Sequence, residues 1–190
     1  MGRPLRVCGL FQRRRQKNDS HSGENVVCLD RMGIEWIWGD EMTQKIFRCA
    51  IAQIRGSRPG LWGVVRFFQR GDGVLVEAEV TGLPKTETGF FAFHIHEGKS
   101  CDGEGFPDSG GHFNPGGAAH PSHAGDLPPL LADHGKAYMR VLTDRFHVDE
   151  IIGKTVIIHS EPDDFHTQPS GNAGAKIGCG VIRRACANRS

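Results

Sequence analysis

The chain lacks several patterns that would assign it to a broad class. Its six cysteines include no C-x-x-C pair, so a zinc ribbon or a thioredoxin-type site has no support. No stretch approaches the roughly 18 to 20 consecutive apolar residues of a transmembrane helix. Lysine and arginine number 23 against 22 acidic residues, which gives no excess charge to attract nucleic acid or an anionic membrane. We therefore expect a soluble protein with neither as partner.

The first 41 residues differ in character from the rest. A basic cluster at residues 13–15 is followed by the polar stretch QKNDSHSGEN, whereas a secretory signal would continue into an apolar segment. Acidic residues in the same region disfavour a transit peptide. We predict that residues 1–41 form an extension that is disordered or not translated, with Met42 as the true start. Because no export signal is recognised, we expect a cytoplasmic location.

From residue 45 to residue 185 the sequence predicts one β-rich domain. Residues 74–80 alternate apolar and wetter positions, as in a strand with one buried face. The turn sequence RGDG precedes this strand and is typical of a hairpin. Similar runs predict seven or eight strands in all, the others covering residues 46–54, 61–69, 89–96, 136–143, 154–159 and 178–183.

About forty residues between His96 and Lys136 show no strand pattern and are rich in glycine, proline, serine and histidine. A loop of this length is unusual in a compact domain unless it has a function. Many short strands with one long loop favour an antiparallel sandwich or a flattened barrel.

The stretch FHIHEG places His94 and His96 two residues apart at the end of an apolar run. In an extended strand these two side chains leave the same face and can hold one metal ion. Phe91, Phe93 and Ile95 then fall on the opposite face, where we expect them to enter the core.

A second cluster follows in HFNPGGAAHPSHAGD, where His112 is followed at +8, +11 and +14 by His120, His123 and Asp126. The proline and the glycines in this stretch favour a loop over a helix. Three imidazoles and one carboxylate make a closed four-ligand set of the kind that holds structural zinc.

The remaining candidate, His159, ends a predicted strand, as His96 does. Three neutral imidazoles with an open position, from His94, His96 and His159, suit copper. If His112 bridges through both ring nitrogens, seven residues hold two metals. A zinc hydrolase is the weaker interpretation, because it needs an open zinc and a nearby general base.

Taken together, these motifs closely resemble the copper,zinc superoxide dismutase family. FHIHEG, GGHFNP, HAGDLP, VIIHSEPDD and GNAG-x-x-x-x-CGVI occur in the family's order, within residues 45–182. The resemblance implies an all-β fold, an immunoglobulin-like Greek-key β-sandwich or flattened eight-stranded antiparallel barrel with a long metal-binding loop. It also implies an antioxidant enzyme that converts two superoxide anions and two protons to oxygen and hydrogen peroxide at a copper ion bridged to zinc.

The resemblance assigns roles residue by residue. The implied copper ligands are His94, His96, His112 and His159, and the implied zinc ligands are His112, His120, His123 and Asp126. His112 and Lys176 are the implied catalytic residues, Asp163 is expected to hydrogen-bond a ligand from each metal site, and a disulfide is expected between Cys101 and Cys179. The family suggests a homodimer.

Lys176 departs from the family, which usually has arginine at that position. Lysine retains the positive charge but not the planar two-pronged donor, so we expect an active enzyme with weaker positioning of the anion.

The alternative function is a non-catalytic copper-binding or copper-delivery module, but such proteins usually carry a C-x-x-C domain that is missing here. Cys49, in the apolar run IFRCAIAQI, is expected to be a reduced, buried apolar side chain. No role is assigned to Cys8, Cys28 or Cys186.

Overall fold

The computed structural model describes residues 13–15, 26–29, 35–38 and 49–185, and it separates the chain into two compact units, residues 1–46 and 47–190. In the first unit three short strands form an antiparallel sheet in chain order. They are β1 (Arg13–Arg15), β2 (Val26–Leu29) and β3 (Glu35–Trp38). Most of the predicted extension lies outside the described residues, so its disorder or lack of translation stays a prediction.

In the second unit eight antiparallel strands close into a barrel. The strands are β4 (Cys49–Gly56), β5 (Trp62–Arg70), β6 (Gly73–Thr81), β7 (Phe90–His96), β8 (Asp126–Asp133), β9 (Lys136–Thr143), β10 (Thr155–His159) and β11 (Lys176–Arg184). Their order round the barrel is β10-β11-β4-β5-β6-β9-β8-β7, with β7 paired to β10. The expected all-β fold, with a flattened eight-stranded antiparallel barrel, is confirmed.

The alternation of side chains along the strands explains which residues form the core. Every second residue of β6 from Val74 to Val80 is buried, and in β7 Phe91, Phe93 and Ile95 are fully buried in the main apolar cluster. The hairpin predicted at RGDG is present, because Arg70 pairs with Gly73 across a two-residue loop. The core therefore lies inside the barrel, with β7 contributing three of its largest side chains.

Strand β8 corrects the prediction of one unbroken loop between His96 and Lys136. Its sequence DLPPLLAD contains two prolines, which lack an N–H donor and read as loop residues. The strand pairs with β7 between Asp126 and Leu131 but with β9 only through Ala132 and Asp133, so the prolines face little pairing on the β9 side. As a result, Asp126 begins a strand and sits opposite His94.

Short helical segments complete the described part of the second unit. A 3-10 turn covers Pro107–Ser109 in the long β7–β8 connection, and helix α1 (Val148–Ile151) lies between β9 and β10. Within the described ranges, no helix is long and apolar enough to cross a membrane.

Candidate metal centre

Two neighbouring strands carry three of the predicted histidines. His94 and His96 lie at the end of β7, and His159 ends β10, which pairs with β7 so that His94 is opposite Ile157. All three are buried. A backbone bridge between His96 and His112 brings the β7–β8 connection against the same strand. Barrel pairing therefore fixes where these imidazoles meet.

The first donor group consists of His94, His96, His112 and His159. One ligand nitrogen from each of these residues lies within 4.8 Å of the others. The Nε2 atoms of His96 and His159 are 3.3 Å apart, and the rings of His94 and His112 are 4.1 Å apart between centroids. The structure thus brings together all four residues predicted for copper.

The second donor group consists of His112, His120, His123 and Asp126, whose ligand atoms also lie within 4.8 Å of one another. His112 Nδ1 is 2.7 Å from Asp126 Oδ1 and 3.3 Å from His123 Nδ1. His120 Nδ1 is 3.0 Å from Asp126 Oδ2, without the geometry of a hydrogen bond. His112 belongs to both groups and presents Nδ1 to the second.

His96 and His159 each use one ring nitrogen to hydrogen-bond a backbone carbonyl. His96 Nδ1 donates to the carbonyl oxygen of Gly110 at 2.8 Å, and His159 Nδ1 donates to that of Gly174 at 3.3 Å. Because a carbonyl oxygen only accepts, each ring carries its proton on Nδ1 and keeps a lone pair on Nε2. The two Nε2 lone pairs point to the same place, which is the arrangement of metal-ligating histidines.

Asp163 joins the two donor groups, as predicted. Its Oδ2 accepts from His94 Nε2 at 2.7 Å and its Oδ1 accepts from His120 Nε2 at 2.8 Å. These bonds fix the proton of each ring on Nε2 and leave the Nδ1 lone pairs for ligation. One carboxylate therefore orients one imidazole in each group.

Unpaired polar atoms show that the donor groups fit metal ions. In the part of the chain that the structure describes, four buried side-chain polar atoms have no hydrogen-bond partner. Three of them are His94 Nδ1, His112 Nε2 and His120 Nδ1, all inside the donor groups. A buried polar atom without a partner is costly, and a metal ion would satisfy each of these lone pairs.

The charge states match what metals require. Burial lowers the pKa of His96 to about 2 and that of His159 to about 3, and burial also lowers the pKa of His94. Burial alone would raise the pKa of Asp163, but hydrogen bonds from His94 and from the Phe165 amide outweigh it and lower the pKa to about 2. Near neutral pH these three imidazoles are neutral, as ligation demands, and the Asp163 carboxylate is ionised, as an acceptor for two histidine N–H groups should be.

The predicted disulfide is confirmed. Cys101, in the β7–β8 connection, is bonded to Cys179 of β11, 78 residues away in sequence. The pair packs with Phe106 and Ile157 in a small apolar cluster. The interpretation of Cys49 as a reduced thiol is wrong, because this cysteine is also disulfide-bonded.

Lys176 lies beside the first donor group but is held by the loop. Its Nζ donates to Ser109 Oγ at 2.7 Å and to the Gly110 carbonyl at 3.0 Å, with Phe106 O at 3.5 Å. The Gly110 carbonyl also accepts from His96 Nδ1. Lys176 thus shares an acceptor with a residue predicted to bind copper.

Three further residues that shape the site were missed by sequence reasoning. Gln168 accepts from the His120 amide at 3.1 Å and donates to the His120 carbonyl at 2.7 Å. Gly171 has a positive φ, and a Cβ there would collide with Asp163 Oδ1 and His120 Nε2. Arg145 contacts the backbone of the second donor group. Only Gly171 had a signal, since it begins the motif GNAG.

Comparison with known proteins covers both donor groups. A family model described as copper/zinc superoxide dismutase matches residues 61–182. "Superoxide dismutase [Cu-Zn] 2" of Aquifex aeolicus is 34% identical over 149 residues, which cover 70% of this chain and 86% of that protein. "Superoxide dismutase [Cu-Zn] 1" of the same organism is 35% identical over 136 residues, covering 64% and 79%. "Superoxide dismutase [Cu-Zn]" of Deinococcus radiodurans is 33% identical over 143 residues, covering 64% and 76%.

Proposed function

The chain belongs to the copper/zinc superoxide dismutase family, and from this premise we propose which of its residues carry the reaction. It is an oxidoreductase that acts on superoxide with copper and zinc as cofactors. We assign copper to the first donor group and zinc to the second. The observation that carries the assignment is the pair of complete donor sets that share His112.

The two groups suit different metals because their donors differ. The first group offers four imidazole nitrogens, a set that favours copper. The second offers three imidazoles and a carboxylate, a closed set typical of structural zinc. When bound, copper supplies the one-electron exchange that oxidises one superoxide to oxygen and reduces another to hydrogen peroxide. The protein's task is to hold the donors, guide the anion and supply protons.

His112 is the residue we assign to proton delivery. Its Nδ1 faces the zinc donors, while Nε2 is buried beside the copper donors without a hydrogen-bond partner. A proton held at Nε2 would lie where the reduced product forms, and peroxide leaves only after it gains protons. Asp126, whose Oδ1 lies 2.7 Å from Nδ1, belongs to the same zinc donor group and restricts the orientation of the ring.

Lys176 is the residue we assign to anion guidance. Its ammonium group is half-buried at the edge of the copper donors and is fixed in place by Ser109 and Gly110. A fixed positive charge beside a small site raises the local concentration of a small anion. Because lysine lacks the two-pronged donor of arginine, it draws superoxide in without holding it in one orientation.

The alternative of a copper-delivery module is not favoured. All seven donors are present and converge, and the relatives found by comparison are named as superoxide dismutases. The homodimer, the cytoplasmic location and the domain limits of 45–185 stay predictions. Sedimentation equilibrium would test the dimer.

The decisive experiment measures the decay of superoxide by protein loaded with copper and zinc, normalised to bound copper. We expect a second-order rate constant of about 10⁸ to 10⁹ M⁻¹s⁻¹, the diffusion-limited range in which superoxide dismutases are known to work. The control is the same protein loaded with zinc alone, which should be inactive. A slow rate with both metals bound would instead favour copper handling.

A further inference from the structure

One guanidinium nitrogen of Arg145 hydrogen-bonds three backbone carbonyls of the segment that carries most of the zinc donors. Arg145 Nη1 donates to the carbonyl oxygens of Pro121 at 3.1 Å, His123 at 3.3 Å and Asp126 at 3.1 Å. Two of these carbonyls belong to predicted zinc ligands, and the third belongs to the residue after the ligand His120. The contacts bind the chain itself and leave the ligand side chains free.

This segment needs an external support. Between His120 and Asp126 the chain forms turns, with local backbone bonds from Ser122 to Ala119 and from Asp126 to His123. Gly125 is held from outside, because its amide donates to the Phe113 carbonyl and its carbonyl accepts from the Ile95 amide of β7. The local bonds set the curvature of the turns, and the bonds of Gly125 hold the end of the segment, but neither kind holds the carbonyls of Pro121 and His123 in place. Carbonyl oxygens that converge on one point also repel one another unless a donor satisfies them. The cationic N–H groups of Arg145 supply that donor.

Arg145 is exposed, but it lies next to a residue that is anchored in the core. It lies between β9 and α1, next to Phe146, which is buried and packs edge-on against Phe67 with 6.4 Å between ring centroids. The Arg145 amide donates to Thr143 Oγ1 at 3.3 Å. A side chain anchored in this way loses less freedom when it binds, so its hydrogen bonds hold the loop more effectively.

We propose that Arg145 is a positioning residue of the zinc site, which holds the backbone of residues 121–126 so that His120, His123 and Asp126 present their donors together. The proposal rests on the assignment of zinc to the second donor group. It concerns the zinc site alone, because the described contacts of the Arg145 side chain do not include the backbone that carries His94, His96 or His159. Arg145 therefore sets zinc affinity, and copper affinity follows only through the shared His112.

The test compares Arg145→Met with the parent chain and with Arg66→Met. Methionine keeps much of the length of arginine but has neither the charge nor the donors. Arg66 is the matched control, because it is a barrel arginine whose described bonds are to Glu77 and Glu79. Zinc and copper dissociation constants are measured separately on metal-free protein by competition with a chromophoric chelator. Cobalt(II) placed in the zinc site reports the coordination geometry through its visible absorption.

We expect Arg145→Met to raise the zinc dissociation constant about 10- to 100-fold and the copper constant by less than about threefold, since lost outer-sphere support typically has that effect on one site. The cobalt spectrum should weaken and shift, and Arg66→Met should match the parent in every readout. Unchanged zinc affinity in Arg145→Met would overturn the proposal, and so would an equal loss for both metals, which would indicate general support of the fold.

Two further outcomes are distinguishable. If the parent chain itself binds no zinc, the zinc assignment fails and the role of Arg145 fails with it. If the parent binds zinc and only the variant result is negative, the assignment stands. Should Arg145→Met not fold, Arg145→Gln is measured by the same criteria, because glutamine retains an N–H donor without the charge or the reach.

Discussion

The two donor groups are built by different parts of the molecule. In the first, three of four imidazoles stand on β7 and β10, whose pairing fixes their spacing. In the second, three of four donors belong to the β7–β8 connection, and only Asp126 begins a strand. The barrel itself positions three of the copper donors, whereas Arg145 and Gln168, from distant segments, hold the backbone of the zinc donors. Asp163 orients one imidazole in each group.

This difference has an energetic consequence. Strand pairing is part of the cooperative fold, so the copper donors stay in register as long as the barrel is intact. The zinc donors depend on a few side-chain to backbone bonds, each worth about 1 kcal/mol net, or more where a charge is involved. Zinc affinity should thus respond to substitutions that leave the barrel intact, and copper affinity should not.

Removing the residue that the groups share should erase the contrast. His112→Ala takes a donor from both groups, and we expect both metal affinities to fall by more than about a hundredfold, beyond the effect of losing outer-sphere support. Turnover should fall with them, because the group assigned to proton delivery is lost. Metal content by atomic absorption and superoxide decay provide the readouts. A variant that keeps full turnover would contradict the bridging role.

Removing the disulfide should lower the stability of the fold and weaken zinc binding more than copper binding. We expect the double variant Cys101→Ser and Cys179→Ser to lose about 4 kcal/mol of unfolding free energy, because the closed loop of 78 residues no longer restrains the unfolded chain. Urea denaturation of the metal-free protein measures this loss. In the folded variant only the Lys176 hydrogen bonds to Ser109 and Gly110 still tie the connection to β11, so zinc should weaken more than copper. Equal weakening would refute the contrast between the two halves.

Much of this site could be predicted from the sequence, for identifiable reasons. The alternation in FHIHEG places His94 and His96 on one face in any strand, His159 stands at the end of another predicted strand, and the motif resemblance supplied Asp163. The supports could not be predicted. Gln168 reaches the His120 backbone across 48 residues, and Arg145 reaches Asp126 across 19, contacts that leave no local pattern.

The missed strand has a related cause. Two prolines in β8 remove the strand signal from the sequence. They are tolerated because they fall at a register shift in the pairing with β7 and because that stretch of β8 has little pairing on the β9 side. The fold class was predictable despite this error, because the other seven strands are short apolar runs between turn sequences, with the clearest alternation in β6. The position of Asp126 opposite His94 was not, since it depends on the register between β7 and β8.

Low pH should destabilise the metal-free protein through two of the histidines assigned to copper. The pKa of His96 is lowered to about 2 and that of His159 to about 3, against 6.5 for an ordinary histidine, mainly because burial disfavours the charged form. Between pH 6.5 and pH 3 these two histidines are protonated in the unfolded chain but neutral in the folded chain. The free energy of unfolding therefore falls as the pH falls through this range. We expect a loss of about 2 kcal/mol for each of the two histidines, and therefore roughly 4 kcal/mol in all, for the metal-free protein between pH 7 and pH 5.

Denaturant titration of metal-free protein at both pH values measures this effect. The control is the double variant His96→Gln and His159→Gln, in which neither side chain titrates, so the difference between pH 7 and pH 5 should shrink. An equal difference in the parent and the control would assign the acid sensitivity to other groups.

The smallest expected effect concerns Lys176. We expect Lys176→Met to lower the second-order rate constant about tenfold at low ionic strength and to weaken its dependence on salt, because a guiding charge is lost. Stopped-flow decay of superoxide at several salt concentrations measures both, with Lys176→Arg as the matched control. A rate that falls without any change in salt dependence would show that Lys176 acts through Gly110 and His96.

The closure of the barrel also bears on how the site is assembled in time. β11 pairs with β4 as well as with β10, so the ring joins residues 49–56 to residues 176–184. Contacts between segments so far apart in sequence form slowly, because the chain loses the entropy of closing a large loop before these contacts can stabilise it. β11 supplies no metal donor, yet it brings Lys176 and Cys179 into place. The metal site therefore reaches its final form only when a strand without ligands has docked, and refolding should be slow even when both metals are present.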